Sequence, residues 1–237
     1  NWRMASSTKG NVGWDSSDAA PRHSGILPTL AATERNKQVI WDVISKILSG
    51  NVLELGSGTG QHIAHFVGED KEKGICWFPT DYTDNNFWVI RERTKTFSNV
   101  KEPEKVNLLD EFWTKTVATK LDSKGEKKFD GIYMCNVCHI AKWDATASLM
   151  KSAGKILRED GNICIYGPFI IDGKSSESNF RFSKRLQEEN PDRGVREVRD
   201  MEKCANEGGL ALTKIINMPA NNNILVFTKK TLKDKES

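Results

Sequence analysis

No apolar run in this 237-residue chain reaches the ~20 residues needed to cross a bilayer, so no membrane-spanning helix is expected. No secretory signal is read either, and the expected setting is cytoplasmic, with the nucleus as the alternative. Cysteine is scarce and odd in number. Five thiols scattered through apolar runs do not make a disulfide frame and read as reduced. Charge of one sign is missing as well. With 35 basic and 32 acidic residues the net charge is +3, which gives no broad field for nucleic acid or an anionic membrane. Neither is expected as a partner, and the chain is read as a monomer. Histidine is rare too, at four. His62 and His65 stand three apart but lack the Glu of a zinc-protease helix. Cys135-Asn136-Val137-Cys138 has no second pair and no suitably spaced histidine, so no metal site is expected. The cysteine pair is read as core or pocket packing, with redox or metal chemistry as the alternative.

What the chain does have is Val52-Leu53-Glu54-Leu55-Gly56-Ser57-Gly58-Thr59-Gly60. An apolar run ends in an acid, three glycines follow at alternate positions, and Gln61–Val67 can open a helix. This predicts a buried strand, a tight loop and a helix N-terminus. The glycines let the backbone turn sharply and approach a ligand that a Cβ would push away. The free N–H groups of the helix start favour an electron-rich ligand group. Dinucleotide enzymes use G-x-G-x-x-G, with the last glycine one place later. The spacing here is G-x-G-x-G with Glu54 two residues ahead, which resembles the nucleoside loop of S-adenosylmethionine (SAM) methyltransferases. The alternatives are a bare strand-to-helix turn or a nicotinamide-dependent oxidoreductase.

Taken in order, residues 1–28 are Ser-, Gly- and Asp-rich without periodicity and read as a flexible arm or a lid. Residues 29–230 form one domain with no repeats, and 231–237 are a charged tail. Thr33 is a plausible cap for a helix whose Val39, Ile40, Val43, Ile44, Ile47 and Leu48 recur at helical spacing. Ile75–Asp81 is the second strand, with Pro79 near its end, where a proline is tolerated. Asp81 falls 21 residues after Gly60, and its two carboxylate oxygens can accept both ribose hydroxyls. The alternative is a cap for a helix over 85–97. Val106–Asp110 reads as a third strand, with Asp110 on the adenine amino group or capping the helix 111–121. A charged surface loop over 122–128 follows. Phe129–Asn136 is a central strand, Trp143–Leu157 a long helix, and Asn162–Phe169 a fifth strand. Ser178–Glu189 and Val198–Glu207 are helices. Leu210–Met218 and Asn223–Lys229, joined by Pro219–Asn222, must be an antiparallel pair. The expected fold is therefore α/β: a seven-stranded, mostly parallel sheet with a C-terminal hairpin and helices on both faces.

Several stretches carry a narrower resemblance. Glu34-Arg35-Asn36, VLELGSGTGQHIAH over 52–65, Pro79-Thr80-Asp81, Asn136-Val137-Cys138-His139-Ile140 with Trp143, Tyr166-Gly167-Pro168-Phe169 and Met218-Pro219-Ala220-Asn221-Asn222 together resemble the methyltransferase-like protein 26 family. The resemblance runs from about Thr33 to Lys229. It implies a Rossmann-like class I methyltransferase fold and SAM as cofactor, without supplying an acceptor. It implies cofactor contacts from Arg35, Asn36, Glu54, Gly56, Ser57, Gly58, Gly60, Asp81, Asp110 and Asn136. Gly56 stands where relatives often have Ala, a difference expected to leave binding intact.

The expected function is therefore SAM-dependent methyl transfer to a small molecule or a protein side chain. The alternative is a SAM-binding but catalytically silent interaction protein. In-line positioning of methyl and acceptor supplies most of the effect. His139, just beyond the fourth strand, is the candidate base, because its ordinary pKa suits proton transfer. A histidine that merely fixes its loop is the competing reading. The expected acceptor pocket joins Asn136 and His139 to Tyr166, Phe169, Asn221 and Asn222.

Overall fold

The computed structural model describes residues 27–71, 74–121 and 128–230. Most of the expected arm, residues 122–127 of the charged loop and the tail lie outside them. The strands are β1 Asn51–Leu55, β2 Cys76–Asp81, β3 Glu104–Lys105, β4 Phe129–Cys135, β5 Leu157–Gly167, β6 Phe169–Ile170, β7 Arg196–Glu197, β8 Leu210–Met218 and β9 Asn222–Lys229. The α-helices are α1 Ala31–Ile44, α2 Gln61–Glu69, α3 Phe87–Thr94, α4 Trp113–Ala118, α5 Val137–Ile140, α6 Trp143–Ser152, α7 Glu177–Glu189 and α8 Val198–Glu207. Seven strands form one sheet in the order β3-β2-β1-β4-β5-β9-β8, and β6 and β7 make a separate small parallel pair. The β1–β5 pairings are parallel, while β9 runs antiparallel to both β5 and β8. The seven-stranded sheet with its terminal hairpin is as the sequence suggests.

Alternation along the strands sends side chains to two cores. Leu53, Ile132, Met134, Ile163 and Ile165 face α4, α6 and α8. Val52, Tyr133, Cys164 and Tyr166 face α1 and α2. Phe66 of α2 is the hub of the second core, with its ring 5.5 Å from Trp41, 5.6 Å from Trp77 and 5.5 Å from Tyr133. Pro79 costs no ladder bond. Trp77 N–H donates outward to Asn99 O, so position 79 turns its nitrogen the same way, and β3 pairs only from Thr80 onward.

Several boundaries differ from the sequence reading. Thr33 is not a cap but lies inside α1, which starts at Ala31; the N–H of Leu30 donates to Gln61 Oε1 (2.6 Å). The helices expected over 85–97 and 111–121 are the shorter α3 and α4. The third strand is Glu104–Lys105, not Val106–Asp110; only the Val106 N–H continues its ladder, donating to Asp81 O. The helix expected to reach Leu157 ends at Ser152. Leu157 already pairs with Phe129 in the sheet, and Gly154 packs so closely on the Gly208 carbonyl that a Cβ would overlap it. Local propensity gives way to the demands of sheet pairing and helix packing.

Candidate active site

The loop Gly56–Gly60 leaves β1 and enters α2 with φ of +76°, +54° and +71° at its three glycines. These are left-handed values that glycine adopts without the Cβ penalty. The loop is held largely from within. Gly56 and Ser57 N–H donate to Thr80 O, Gly60 N–H to Ser57 O, and Gly58 N–H to Asp81 Oδ2 at 2.7 Å. These bonds occupy several of the loop's N–H groups, while a Cβ on Gly58 would meet nothing within 4 Å, so the space above the loop is open there. Gly56 is different. A Cβ there would overlap Val137 Cγ2, so alanine requires that side chain to move.

Two acids lie beneath the loop. Asp81, at the carboxyl end of β2, is buried. It accepts Gly58 N–H on one oxygen and Tyr82 N–H on the other (2.7 Å). Glu54 is also buried. Burial lifts its carboxyl to about 8 against a hydrogen bond from Ser57, and the neighbouring Asp81 charge pushes the same way. Its Oε2 is buried without a partner.

A cavity of about 740 Å³ opens over this floor. At one end it is walled by Tyr82, Val106, Asn107, Leu108 and Leu109, an apolar slot suited to a planar base. Leu30–Thr33 form a side wall that the sequence reading missed. Gln61 pins that wall by accepting from Leu30 N–H while its Nε2 donates to Glu34 Oε1 (2.8 Å). A polar residue directly after the third glycine was the available signal. The cavity then runs past Cys135, Asn136 and His139 to α7 and the start of β9.

Asn136 ends β4 with φ +60°, and its N–H donates to Tyr166 O (2.9 Å). This left-handed turn aims α5 across the sheet edge and brings His139 to the cavity wall. His139 is buried, its backbone O accepts Gly194 N–H (2.9 Å), and its ring meets Phe182 edge-on at 5.3 Å. Burial, with the Arg196 guanidinium nearby, pushes its pKa down to about 3. It is therefore a neutral imidazole and a weak base at neutral pH. Arg196 spends its guanidinium on the carbonyls of Cys138 (2.9 Å), Ala141 (2.7 Å) and Asp192 (2.7 Å), stapling this loop to the turn after α7. Burial pushes the thiols of Cys135 and Cys138 up to about 12, so neither is a thiolate.

Of the residues expected at the cofactor, Gly56, Ser57, Gly58, Asp81 and Asn136 line the cavity, whereas Glu54 and Gly60, next to lining residues in the chain, do not. Arg35 is exposed on α1 and does not line it. Asn36 stands behind it, with Oδ1 on His62 Nε2 (2.9 Å) and a hydrogen bond to Tyr166. Asp110 is exposed, accepts Phe112 N–H (2.8 Å) and does not line the cavity; the residues before it do. Asn222 lines the cavity, and Asn221 backs it, giving its carbonyl to Asn179 Nδ2 (2.9 Å). Tyr166 and Phe169 do not line it. They face opposite cores, because the parity of the strand separates them.

Residues 28–229 match a family described as Protein of unknown function (DUF938). The chain belongs to the DUF938 family. Solved structures place its fold. An O-methyltransferase family protein from Burkholderia thailandensis superposes with a TM-score of 0.66 at 15% identity, over 85% of this chain and 58% of that one. Human N-acetylserotonin methyltransferase, solved in complex with SAM, gives 0.63 at 12% identity, over 84% and 53%. The pyocyanin biosynthetic protein PhzM gives 0.64 at 13%, over 84% and 55%. This DUF938 chain thus has the class I SAM-dependent methyltransferase fold, and it spans little more than half the length of these proteins. No helix among the described residues is long and apolar enough to cross a membrane.

Proposed function

We propose that this protein is a SAM-dependent methyltransferase for a small-molecule acceptor, in keeping with its resemblance to the methyltransferase-like protein 26 family. The observation that carries this reading is the Asp81 carboxylate at the end of β2, hydrogen-bonded to Gly58 of the glycine loop, at the floor of a cavity that runs on to His139. The cavity suits the cofactor. Asp81 receives ribose hydroxyls and the 106–109 slot receives the base.

SAM would supply a methyl group on a sulfonium, which needs positioning more than acid–base help. The chain's own share is orientation and exclusion of water. Asn136 and the neutral His139 place the acceptor by hydrogen bonding, and a His139 with its basicity so reduced is better suited to that than to taking a proton. The same feature favours a second reading, a SAM-binding protein without catalysis.

Calorimetry with SAM, S-adenosylhomocysteine and NAD tests the proposal. The first two should bind and NAD should not. Asp81→Ala should weaken binding by about 1.5–3 kcal/mol, as for a hydrogen bond to a charged group. Unchanged affinity would remove Asp81 from the site, and binding of NAD alone would overturn the proposal.

A further inference from the structure

Beyond β4 the cavity ends among side-chain amides. Asn179 is buried near the start of α7, and its Nδ2 donates both to Ser175 Oγ (3.1 Å) and to Asn221 O (2.9 Å). Asn222, the next residue of the hairpin turn, commits its Nδ2 to Pro219 O and Ala220 O. Both residues line the cavity, and neither Oδ1 has a partner among the described residues. An amide held in this way meets a ligand as a hydrogen-bond acceptor.

The facing wall is of the same character. Asn136 Oδ1 and His139 Nδ1 stand 3.6 and 3.5 Å from the point where a Cβ on Gly167 would lie, so they are close neighbours. His139 is neutral, which makes one of its ring nitrogens an acceptor too. Phe182, one turn after Asn179 on α7, meets the His139 ring and lines the cavity with Pro168 and Ile140. The cations on this stretch, Lys142 and Arg193, are paired with Asp192 and Glu189. The wall therefore presents uncharged acceptors beside an aromatic face.

We infer that this end binds a primary arylamine as the methyl acceptor. Its ring lies against Phe182, and its two N–H groups donate to the side-chain oxygens of Asn179 and Asn222. An alkylamine would arrive protonated, with no lone pair to offer, and an alcohol would need a base. An arylamine is neutral at physiological pH and needs none, in keeping with a His139 of low basicity. In the transfer the nitrogen lone pair forms the N–C bond as the S–C bond of the sulfonium breaks. The sulfur keeps the electrons of that bond, and the methylated ammonium gives one proton to water. This inference rests on the methyltransferase reading and deepens it by naming the acceptor class.

The test uses the full chain saturated with S-adenosylhomocysteine and reads binding by calorimetry. The probes form a one-ring set, aniline, phenol and toluene, and a two-ring set, 6-aminoquinoline, 6-hydroxyquinoline and quinoline. In at least one set the amine should bind roughly tenfold or more tighter than toluene or quinoline, with the hydroxyl probe between them. Asn179→Leu should abolish the preference, and Asn222→Leu should reduce it. Unchanged affinity for S-adenosylhomocysteine in a variant shows that its fold and cofactor end survive, and where one variant loses that affinity the other decides. With SAM instead, mass spectrometry should find the N-methyl product of the preferred amine. No amine preference in either set, whether through equal binding or none, overturns the inference. So does a hydroxyl probe that binds tighter than the amine, a preference undiminished in a variant that keeps its cofactor affinity, or binding without the N-methyl product. Failure of wild-type protein to bind S-adenosylhomocysteine would instead strike the methyltransferase reading itself.

Discussion

At Gly56 a single missing side chain decides how two loops meet. Its φ of +76° disfavours any Cβ, and a Cβ there would overlap Val137 in the segment that carries His139. Alanine should add about 1–2 kcal/mol of left-handed strain and a further packing cost of about 1–3 kcal/mol. Urea unfolding of Gly56→Ala should show a lower midpoint. Adding Val137→Ala should recover the packing part and leave the strain. Full additivity of the two substitutions would mean that the side chains do not meet. The sequence showed that glycine mattered here. It could not show that the neighbour would be Val137, which is 81 positions away and reaches the loop only because β1 and β4 pair.

The hairpin β8–β9 shows how an element is aimed. β8 runs parallel to β5, since both are antiparallel to β9, so the turn 219–221 returns to the edge where the cavity lies. That turn holds Ala220 and Asn221 at φ +58° each. Asparagine tolerates this conformation, and alanine does so less well. Asn222 Nδ2 braces the turn against Pro219 O and Ala220 O, both at 3.2 Å. Replacing Ala220 with Gly should stabilise the protein by about 0.5–1 kcal/mol, since the relief of left-handed strain exceeds the added chain entropy. A thermal melt that falls or stays level would mean that the braced turn carries no strain. The antiparallel pair was legible from the short connection. Its insertion between β5 and the edge, with the last strand inside, was not, because sheet order depends on which edges remain open.

Across the whole molecule, buried ionisable groups set opposing slopes of stability with pH. Glu54 binds a proton more tightly folded than unfolded, with its pKa raised to about 8. Its contribution is fully present in acid and is lost as pH rises from the ordinary carboxyl range through 8. His139 binds its proton less tightly folded, with its pKa pushed to about 3, so its contribution is present above about 6.5 and is lost as pH falls. His62, half-buried at the cavity wall, is shifted down by burial and adds to that side. Two histidines outweigh one carboxyl below pH 6.5, and between 6.5 and about 8, below the range of the raised thiols, the carboxyl sets the slope. Urea unfolding should therefore give maximal stability near pH 6.5, with an alkaline decline on the order of 1 kcal/mol per pH unit. Glu54→Gln should flatten that decline. If the decline survives in this variant, Glu54 is not its source.

Local chemistry determined much of this protein from sequence alone. The glycine spacing, the apolar runs and the short hairpin connection each fix backbone geometry within a few residues, so the order of elements and the glycine loop at one end of the cavity could be read directly. Asp81 belonged with them because strand two must end beside the loop. Only the tertiary structure decided the rest. Tyr166 and Phe169 are three residues apart, yet strand parity and the turn at Pro168 send them to different cores. Asn179, Asn190 and Arg193 reach the cavity only because α7 packs over the edge of the sheet, a placement set by long-range burial and by the Arg196 staple. Glu54 and His139 take their unusual proton affinities from burial, which no local pattern of residues records.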